Sequence, residues 1–346
     1  MLKRLGILVL SLIVLFISGC SIQYPNPFNK EEEIIISDLP AEAVYIDGPA
    51  IYNETVKLIN TAEKSIYVEQ SEFNDPELIK LLIAKAESGV EVKILLDQWQ
   101  KINRSTVTEF KNHNISVQYY PARKGQYNHA KILVVDNEQA MIYGPGWTQE
   151  EMNKHNVAVR LSGRSAWRTA TVFDRDWEFT TTLSLDVPST SDLPDDHITL
   201  ATNTNVKNQV LTQIEASTES IWLELNALSE PDTVQALIDA ANRGVDVRII
   251  LDAENAQDTP VTLENLTTAG ITPRYYHDNT GRALGMNIGI FDQGTFVMSS
   301  SGWTYYSFVI NHEFSATVPS PQASTRLVEM FTQDWQASDT VLPPPR

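Results

Sequence analysis

The sequence YNHAKILVVD, from Tyr127 to Asp136, decides the predicted fold of this chain. Its apolar run, Ile132 to Val135, is typical of a buried strand. Side chains alternate between the two faces of a strand, so a strand over residues 129–135 would place His129 and Lys131 on one face. That face would hold a potential nucleophile beside a positive charge. A core strand with a polar start gives the same pattern, so the interpretation depends on the rest of the chain.

The surroundings of this stretch occur twice in the 346 residues. The separation between matched segments grows only from 155 to 158, so the duplication covers nearly all of the chain beyond its N-terminal segment. A repeat of this length predicts two copies of one structural unit. The matched segments are Ser65–Glu69 with Ser220–Glu224, Gly89–Asp97 with Gly244–Asp252, Tyr119-Tyr120 with Tyr275-Tyr276, Gly146–Thr148 with Gly302–Thr304, and Asp176-Trp177 with Asp334-Trp335.

Each copy has the pattern of a strand, a helix and a second strand. In the first copy, Ser65 to Gln70 alternates like a half-buried strand, Pro76 opens a helix, and Gly89 suits the left-handed position after a helix. Val90 to Leu96 is the next predicted strand. Such a unit predicts a right-handed βαβ crossover, so we predict an α/β fold of two repeated sandwich units related by a pseudo-twofold axis. Further strands are expected at residues 115–120, 129–135 and 140–143.

His129, Lys131 and Asp136 resemble the HxKxxxxD signature of the phospholipase D superfamily. That resemblance implies the two-unit α/β fold with an active site between the halves. In the family, one histidine attacks phosphorus and the other protonates the leaving alcohol. The second copy departs from this pattern, because at an offset of 156 its signature retains only the aspartate. The three corresponding positions are Gly285, Asn287 and Asp292.

Two further family elements bear on the site. The Gly-Ser-x-Asn turn survives in part, with its serine present only as Ser300. The Asn-x-Glu element is present in the second copy as Asn311-His312-Glu313. An offset of 158, which fits the downstream Asp-Trp pairs, places Asn153 and His155 at the corresponding positions of the first copy. A competing offset of 155 pairs Asn156 with Asn311 instead.

The resemblance implies a role for each of these residues. His129 would attack phosphorus and form a phosphohistidine, and Lys131 would hold the phosphoryl oxygens. Asp136 completes the signature. Glu313 or Asp292 would orient His129 by accepting a hydrogen bond from its other ring nitrogen.

The missing acid is the main gap in this scheme. Our hypothesis is that His155 protonates the leaving alcohol, and His312 and His277 are weaker candidates. No cofactor or metal is expected, because the sequence has no HExxH, cysteine cluster or EF-hand loop. The side chains expected to bind the phosphate or substrate are Asn153, Asn311 and Ser300.

Composition restricts the expected partners. The formal net charge is −18 and the sequence pI about 4.7. Such an acidic surface disfavours tight nonspecific binding to nucleic acid, although Arg123 and Lys124 precede the signature. A phospholipid or another phosphodiester is the expected substrate. Family members with one signature pair two chains, but here the second copy occupies the partner's place, so a monomer is expected.

The N-terminus is predicted to anchor the chain to a bacterial membrane. An apolar run from Leu5 to Ile17 follows Lys3 and Arg4 and suits a signal peptide. It ends in a sequence that resembles a lipobox, with Cys20 as the lipidated residue, which implies an extracytoplasmic protein. The predicted segments are residues 1–20 as signal peptide, 21–44 as tether, 45–185 as the first repeat, 186–196 as linker and 197–340 as the second repeat.

Three functions follow as hypotheses. The first is a membrane-tethered phosphodiesterase that hydrolyses phospholipid head groups through His129. The second is an extracytoplasmic nuclease with the same chemistry. The third is a binding protein that kept the fold and lost the reaction, for which Gly285 and Asn287 are the best support. Fold alone does not decide among them.

Overall fold

The computed structural model describes residues 36–189 and 191–344. The predicted signal peptide, Cys20 and residues 21–35 of the predicted tether lie outside this range. Within it, we find no helix that combines the length and apolar character needed to cross a bilayer.

The first repeat is built on a seven-stranded mixed sheet with the order β1-β7-β6-β5-β2-β3-β4. Strands β2, β3 and β4 are parallel, and the others join antiparallel. The strands are β1 (Val44–Ile46), β2 (Ser65–Gln70), β3 (Glu91–Asp97), β4 (Ser116–Tyr120), β5 (Ile132–Val135), β6 (Gln139–Tyr143) and β7 (Val157–Ser162). The helices are α1 (Gly48–Thr61), α2 (Pro76–Glu87), α3 (Asn103–Asn112), α4 (Gln149–Met152) and α5 (Gly163–Thr181).

The second repeat has the same arrangement, with the sheet order β11-β10-β9-β12-β13-β14-β8. The predicted two-unit α/β fold is therefore confirmed. The strands are β8 (Thr199–Thr202), β9 (Ser220–Leu225), β10 (Asp246–Leu251), β11 (Arg274–Tyr275), β12 (Asn287–Phe291), β13 (Thr295–Ser299) and β14 (Phe314–Val318). The helices are α6 (Thr204–Ala216), α7 (Pro231–Asn242), α8 (Ala253–Gln257), α9 (Pro260–Thr268) and α10 (Pro321–Ala337).

Local sequence explains the helix boundaries in both repeats. Helix α2 begins with Pro76, and Asp75 caps it by accepting from Leu78 N at 2.9 Å. Helix α7 begins with Pro231 in the same way, with Glu230 as its cap. Gly89 follows α2 at φ 97°, a conformation that favours glycine.

The described residues form three apolar cores, one within each repeat and one shared by both. Helices α1, α2 and α3 cover one face of the first sheet, and α6, α7 and α9 cover one face of the second. The opposite faces of both sheets share a single central core with α5 and α10. The two repeats therefore form one body around this core and are not separate domains.

Reciprocal backbone contacts relate the two repeats. Residue Asn128 of the first repeat forms a bridge with His312 of the second, and His155 of the first forms one with Leu284 of the second. Leu284 is the counterpart of Asn128, so each repeat offers the same two segments to the other. This reciprocity is what a pseudo-twofold axis requires.

Two predicted boundaries are corrected by the structure. The predicted strand 129–135 begins only at Ile132, because the preceding residues leave the sheet to contact the second repeat. The predicted tether 21–44 is too long at its C-terminal end. Ser37 N donates to Pro319 O at 2.7 Å, and Ser320 Oγ donates to Leu39 O at 2.6 Å, so the chain is already folded there. The described parts of the predicted linker 186–196 have no helix or strand.

Candidate active site

His129 lies where the two repeats meet, just before β5. His129 N donates to His312 O at 2.8 Å, which holds the backbone against the second repeat. Its ring Nδ1 lies 2.7 Å from Glu313 Oε1, and Asn311 Nδ2 lies within 3.4 Å of the same nitrogen. A carboxylate at Nδ1 fixes the tautomer in which Nε2 carries the lone pair. The structure therefore brings together three of the predicted site residues with Nε2 left for chemistry.

Glu313 is a buried carboxylate held by polar partners. Its side chain is 2% exposed. Burial alone would raise its pKa, but electrostatic attraction to His129 and hydrogen bonds from His129 and Ser300 hold the pKa below its usual value. An ionised Glu313 is the form that accepts from His129 Nδ1.

Lys131 is linked to Glu313 through Ser300. Its ammonium donates to the backbone oxygen of Ser300, whose hydroxyl donates to Glu313 Oε2. Burial lowers the pKa of Lys131, and the nearby carboxylates of Glu151, Glu313 and Glu72 oppose this effect. His129, Lys131, Ser300 and Glu313 thus form one connected polar unit across the two repeats.

The signature aspartates have a different place. Asp136 accepts from the backbone N–H groups of Glu63, Lys64 and Ser65 at 2.7–2.9 Å, at the start of β2. Asp292 does the same in the second repeat, with Ser220 N at 2.9 Å. Both adopt positive φ, 55° and 46°, in the turn after their strand. The suggestion that Asp292 orients His129 is therefore wrong, because both carboxylates are occupied as turn caps.

The structure also corrects the pairing of the Asn-x-Glu element. The bridges of His155 with Leu284 and of His312 with Asn128 make His155 the counterpart of His312. The offset is 157, so neither 158 nor 155 holds, and Asn156 rather than His155 corresponds to Glu313. Asn153 is exposed at the end of α4, outside the His129 site.

His155 is enclosed in a cluster of carboxylates at the junction of the repeats. Its Nδ1 lies 2.6 Å from Asp47 Oδ1 and its Nε2 3.1 Å from Asp334 Oδ2, with Glu224 Oε1 at 3.8 Å. Burial alone would lower its pKa, but the hydrogen bonds to Asp334 and Asp47 raise it to about 10. A histidine with both nitrogens bonded and 4% exposure is not placed to protonate a leaving alcohol. The acid hypothesis for His155 is therefore not supported.

His312 has the equivalent cluster on the other side of the pseudo-twofold. Its Nδ1 lies 2.8 Å from Asn203 Oδ1, its Nε2 3.0 Å from Asp176 Oδ2, and Glu69 Oε1 is 3.8 Å away. His312 is buried, so it is not the acid either. In both clusters a histidine from one repeat pairs with carboxylates of the other, which fits an ion pair that holds the repeats together.

Among the described residues, these two clusters are the groups of histidine and carboxylate side chains whose ligand atoms lie close enough together to hold a metal ion. Both ring nitrogens of each histidine already face oxygen or carboxylate partners, so the imidazolium form satisfies the geometry. His277, the remaining candidate acid, is half exposed and lies 3.3 Å from Asp339 Oδ2. None of the three histidines proposed as acid contacts His129 through a side-chain hydrogen bond among the described residues.

The second half-site has been rebuilt around Asn156. A Cβ atom on Gly285 would lie 2.5 Å from Asn156 Nδ2 and 3.1 Å from Lys154 Cβ. A Cβ on Gly144, the counterpart of Ser300, would lie 1.9 Å from Asn156 Oδ1. Asn287, in place of the lysine, accepts from Asn226 N at 3.2 Å. The space of the lost histidine is therefore filled.

Sequence reasoning missed several charged and aromatic residues close to the candidate site. Glu72 follows β2, and burial together with the neighbouring Glu151 raises the pKa of its carboxyl, against the opposing charges of Lys131 and Lys154. Lys154 forms an ion pair with Glu151. The ring of Tyr127 stacks on His129 at 5.8 Å. The sequence offered one indication of a functional role for Glu72, which is that it follows a predicted strand and so lies at the edge of the sheet.

Comparison with known families agrees with this geometry. The family described as "Cardiolipin synthase, PLD-like domain" matches residues 55–177 and 210–335, one match in each repeat and well over half of the chain. The chain belongs to the phospholipase D superfamily. Within it, the match groups the chain with cardiolipin synthase-like, phospholipid-modifying members.

Individual relatives of the superfamily are distant. A cardiolipin synthase of Clostridium perfringens strain SM101 is 22% identical and is matched over 84% of this chain and 69% of its own length. A cardiolipin synthase of Staphylococcus aureus strain Mu50 is 25% identical, over 85% of this chain and 67% of its own length. The sequence similarity thus extends across both repeats.

Solved structures show the same fold. The phosphatidylserine synthase of Haemophilus influenzae Rd KW20 superposes with a TM-score of 0.66 at 13% identity, covering 87% of this chain and 89% of its own. The polyphosphate kinase of Porphyromonas gingivalis superposes with a TM-score of 0.62 at 16% identity, over 90% of this chain and 52% of its own. A phosphatidylserine synthase and a polyphosphate kinase share this architecture, so these similarities show the fold alone.

Proposed function

We propose that this protein is a phosphodiesterase of phospholipase D type that acts on phospholipid head groups through a single half-site centred on His129. The observation that carries the proposal is the 2.7 Å contact between His129 Nδ1 and the buried Glu313 Oε1. It leaves Nε2 as an oriented nucleophile, which is what a phosphohistidine mechanism requires.

In the first step, His129 Nε2 attacks phosphorus. The N–P bond forms as the bond from phosphorus to the leaving alcohol oxygen breaks. Glu313 stabilises the positive charge that develops on the imidazole, as a carboxylate does beside a catalytic histidine. Lys131 stabilises the negative charge on the phosphoryl oxygens, in a buried place where its effect is strong.

We assign the leaving-group acid to Glu72. It is one of the four titratable groups, with Glu151, Glu313 and Lys154, whose charges shift the pKa of Lys131. Burial and the charge of Glu151 raise the pKa of Glu72, which is the direction a carboxyl acid needs at neutral pH. Glu72 would give its proton to the leaving oxygen and take one back from the incoming nucleophile in the second step.

The second step releases His129. Water attacks phosphorus, the N–P bond breaks, and the proton of water returns to Glu72. Transfer to an alcohol in place of water is the second candidate, and the relatives named cardiolipin synthase favour it. In both cases the first half-reaction on His129 is the same.

The predicted lipid anchor fits a phospholipid substrate. A lipidated Cys20 would hold an extracytoplasmic domain at the bilayer surface where its substrate lies. A net charge of −18 disfavours the nuclease alternative. The second alternative is an inactive binding protein, and the filled second half-site is the observation that favours it.

The test is an assay of the full chain on phosphatidylglycerol, phosphatidylethanolamine and phosphatidylcholine vesicles and on 4-nitrophenyl phosphodiesters, with chelator present. Glycerol is added in one arm to reveal transfer. We expect turnover in the wild type and background rates in His129→Ala. Equal rates in the two proteins on every substrate would contradict the proposal and favour the binding protein.

A further inference from the structure

Exposed apolar side chains are concentrated in two segments that contact His129 or its neighbours Asn128 and Asn311. Twelve large hydrophobic side chains are exposed in the described residues, and six of them belong to two segments that flank His129. These six, which we call the site rim, are between 38% and 65% exposed. The site rim consists of Trp99, Ile102, Tyr127, Tyr305, Tyr306 and Val309.

Both segments of the site rim are tied to the reacting group. The ring of Tyr127 stacks on His129, and its N–H donates to Asn311 Oδ1 at 3.1 Å. Asn311 N in turn donates to Tyr306 O at 2.9 Å. Trp99 is held by Asp97, whose carboxylate also accepts from Asn128 N next to the nucleophile. A surface that meets the site rim is therefore brought to His129.

Charge accompanies the apolar groups on the first-repeat side. Residues 98–127 contain five lysines and arginines and one acidic residue, in a chain with a net charge of −18. The matching residues 253–283 of the second repeat contain two arginines and four acidic residues. All five cations are exposed, and the described residues provide no salt-bridge partner for them. Lys101, Arg104, Arg123 and Lys124 each lie within five residues of a rim residue in the sequence, whereas Lys111 lies at the opposite end of α3.

We propose that the site rim docks on the surface of an anionic bilayer and presents lipid head groups to His129. This inference rests on the proposed function and adds the surface through which the enzyme reaches its substrate. Tryptophan and tyrosine favour the membrane interface, and neighbouring lysines and arginines attract anionic lipid. The strongly acidic remainder of the chain is repelled by such a bilayer, so the charge difference also orients the molecule.

Single-stranded nucleic acid also binds surfaces that combine cations with aromatic rings. The aliphatic members of the site rim favour the bilayer. Ile102 and Val309 are exposed, and they offer no ring on which a base would stack. Their burial among lipid chains would be favourable.

The first test compares substrates on the same protein. The full chain is assayed on phosphatidylglycerol vesicles and on a soluble short-chain phosphodiester, as wild type and as Ile102→Asp, Lys124→Glu and Tyr306→Ser. Val261→Asp, which changes an exposed apolar residue on α9 of the second repeat, is the matched control. We expect kcat/KM on vesicles to fall at least 10-fold in the three rim variants and to stay within 2-fold on the soluble diester. Equal loss on both substrates, or no loss on vesicles, would overturn the proposal.

The second test does not depend on turnover. A spin label is attached to Ile102→Cys or, as control, to Val261→Cys in the full chain reconstituted in phosphatidylglycerol vesicles. We expect the label at residue 102 to be reached by oxygen and protected from an aqueous nickel chelate, and the label at residue 261 to show the reverse. Aqueous exposure at both positions would overturn docking, and protection of residue 102 by oligothymidylate alone would assign the surface to nucleic acid. If the wild type lacks activity but residue 102 enters the bilayer, the proposed function fails while the docking surface stands.

Discussion

The two half-sites of this protein share one backbone and differ in almost every side chain that does chemistry. In the first, His129, Lys131 and Ser300 converge on the buried Glu313. In the second, the matching positions hold Gly285, Asn287, Gly144 and Asn156. The space of the lost histidine is closed by the Asn156 side chain and the stem of Lys154.

Both repeats retain the turn aspartates and the buried histidines. Asp136 and Asp292 each cap three backbone N–H groups at the start of a central strand. His155 and His312 each pair with carboxylates of the opposite repeat. These features serve folding and assembly, whereas under the proposed function His129 and Lys131 serve the reaction. The second repeat therefore acts as a structural partner that supplies Glu313, Ser300 and Asn311 to the first.

The largest effect short of removing the nucleophile is expected from Glu313→Gln. An amide at this position no longer enforces the tautomer with a free Nε2, so kcat/KM should fall about 10³-fold. Asn156→Ser, at the matching place in the second half-site, is the control and should change activity less than about 3-fold. Steady-state kinetics on a phosphodiester measures both, and comparable losses would mean that both half-sites take part.

Glu72→Gln should separate acid catalysis from nucleophilic attack. Loss of the acid should lower kcat about 10²-fold for a lipid alcohol, which leaves only with a proton. For 4-nitrophenolate, a good leaving group, the change should stay within about 3-fold. A uniform loss on both substrates would show that Glu72 does not protonate the leaving oxygen.

Gly285→His tests whether the second half-site is merely missing one side chain. The new Cβ would be forced against Asn156 and Lys154, so the free energy of unfolding should fall by about 1–3 kcal/mol without any gain in kcat. Denaturant unfolding and the phosphodiester assay give the two values. A more active and equally stable variant would show that the space is open after all.

The pH dependence of stability should reveal the cluster around His155. Its pKa rises from an ordinary 6.5 to about 10 on folding, so the native state keeps a proton that the unfolded state releases. The stabilisation is complete below pH 6.5 and is lost as pH rises towards 10, with a slope of at most about 1.4 kcal/mol per pH unit. Glu224, whose pKa is also raised by burial, acts in the same direction.

His155→Gln should flatten this slope, measured as the free energy of unfolding in denaturant at pH 6.5 to 9.5. The groups that face His155 are Asp47, Asp334, Glu224 and Tyr276, with Arg282 bonded to Asp47. An unchanged slope in the variant would assign the titration to other groups.

The sequence predicted the duplication, the strand–helix–strand units and the two candidates Glu313 and Asp292 for the partner of His129, because each depends on local periodicity or on a motif. The structure selected Glu313. The sequence did not predict that His155 of the first repeat corresponds to His312 of the second. An insertion of one or two residues shifts a motif alignment freely, and only the backbone bridge to Leu284 fixes the pairing. Glu72 and Lys154 were missed for a similar reason, since their role depends on burial beside Lys131 and on no sequence motif.

The most direct test of a single working half-site is to trap the covalent intermediate. The full chain is mixed with a phosphodiester, quenched in alkali within milliseconds to seconds, digested and mapped by mass spectrometry. We expect an acid-labile phosphoryl adduct on His129 in the wild type, and none in His129→Ala. An adduct on another residue, or turnover in His129→Ala, would contradict it.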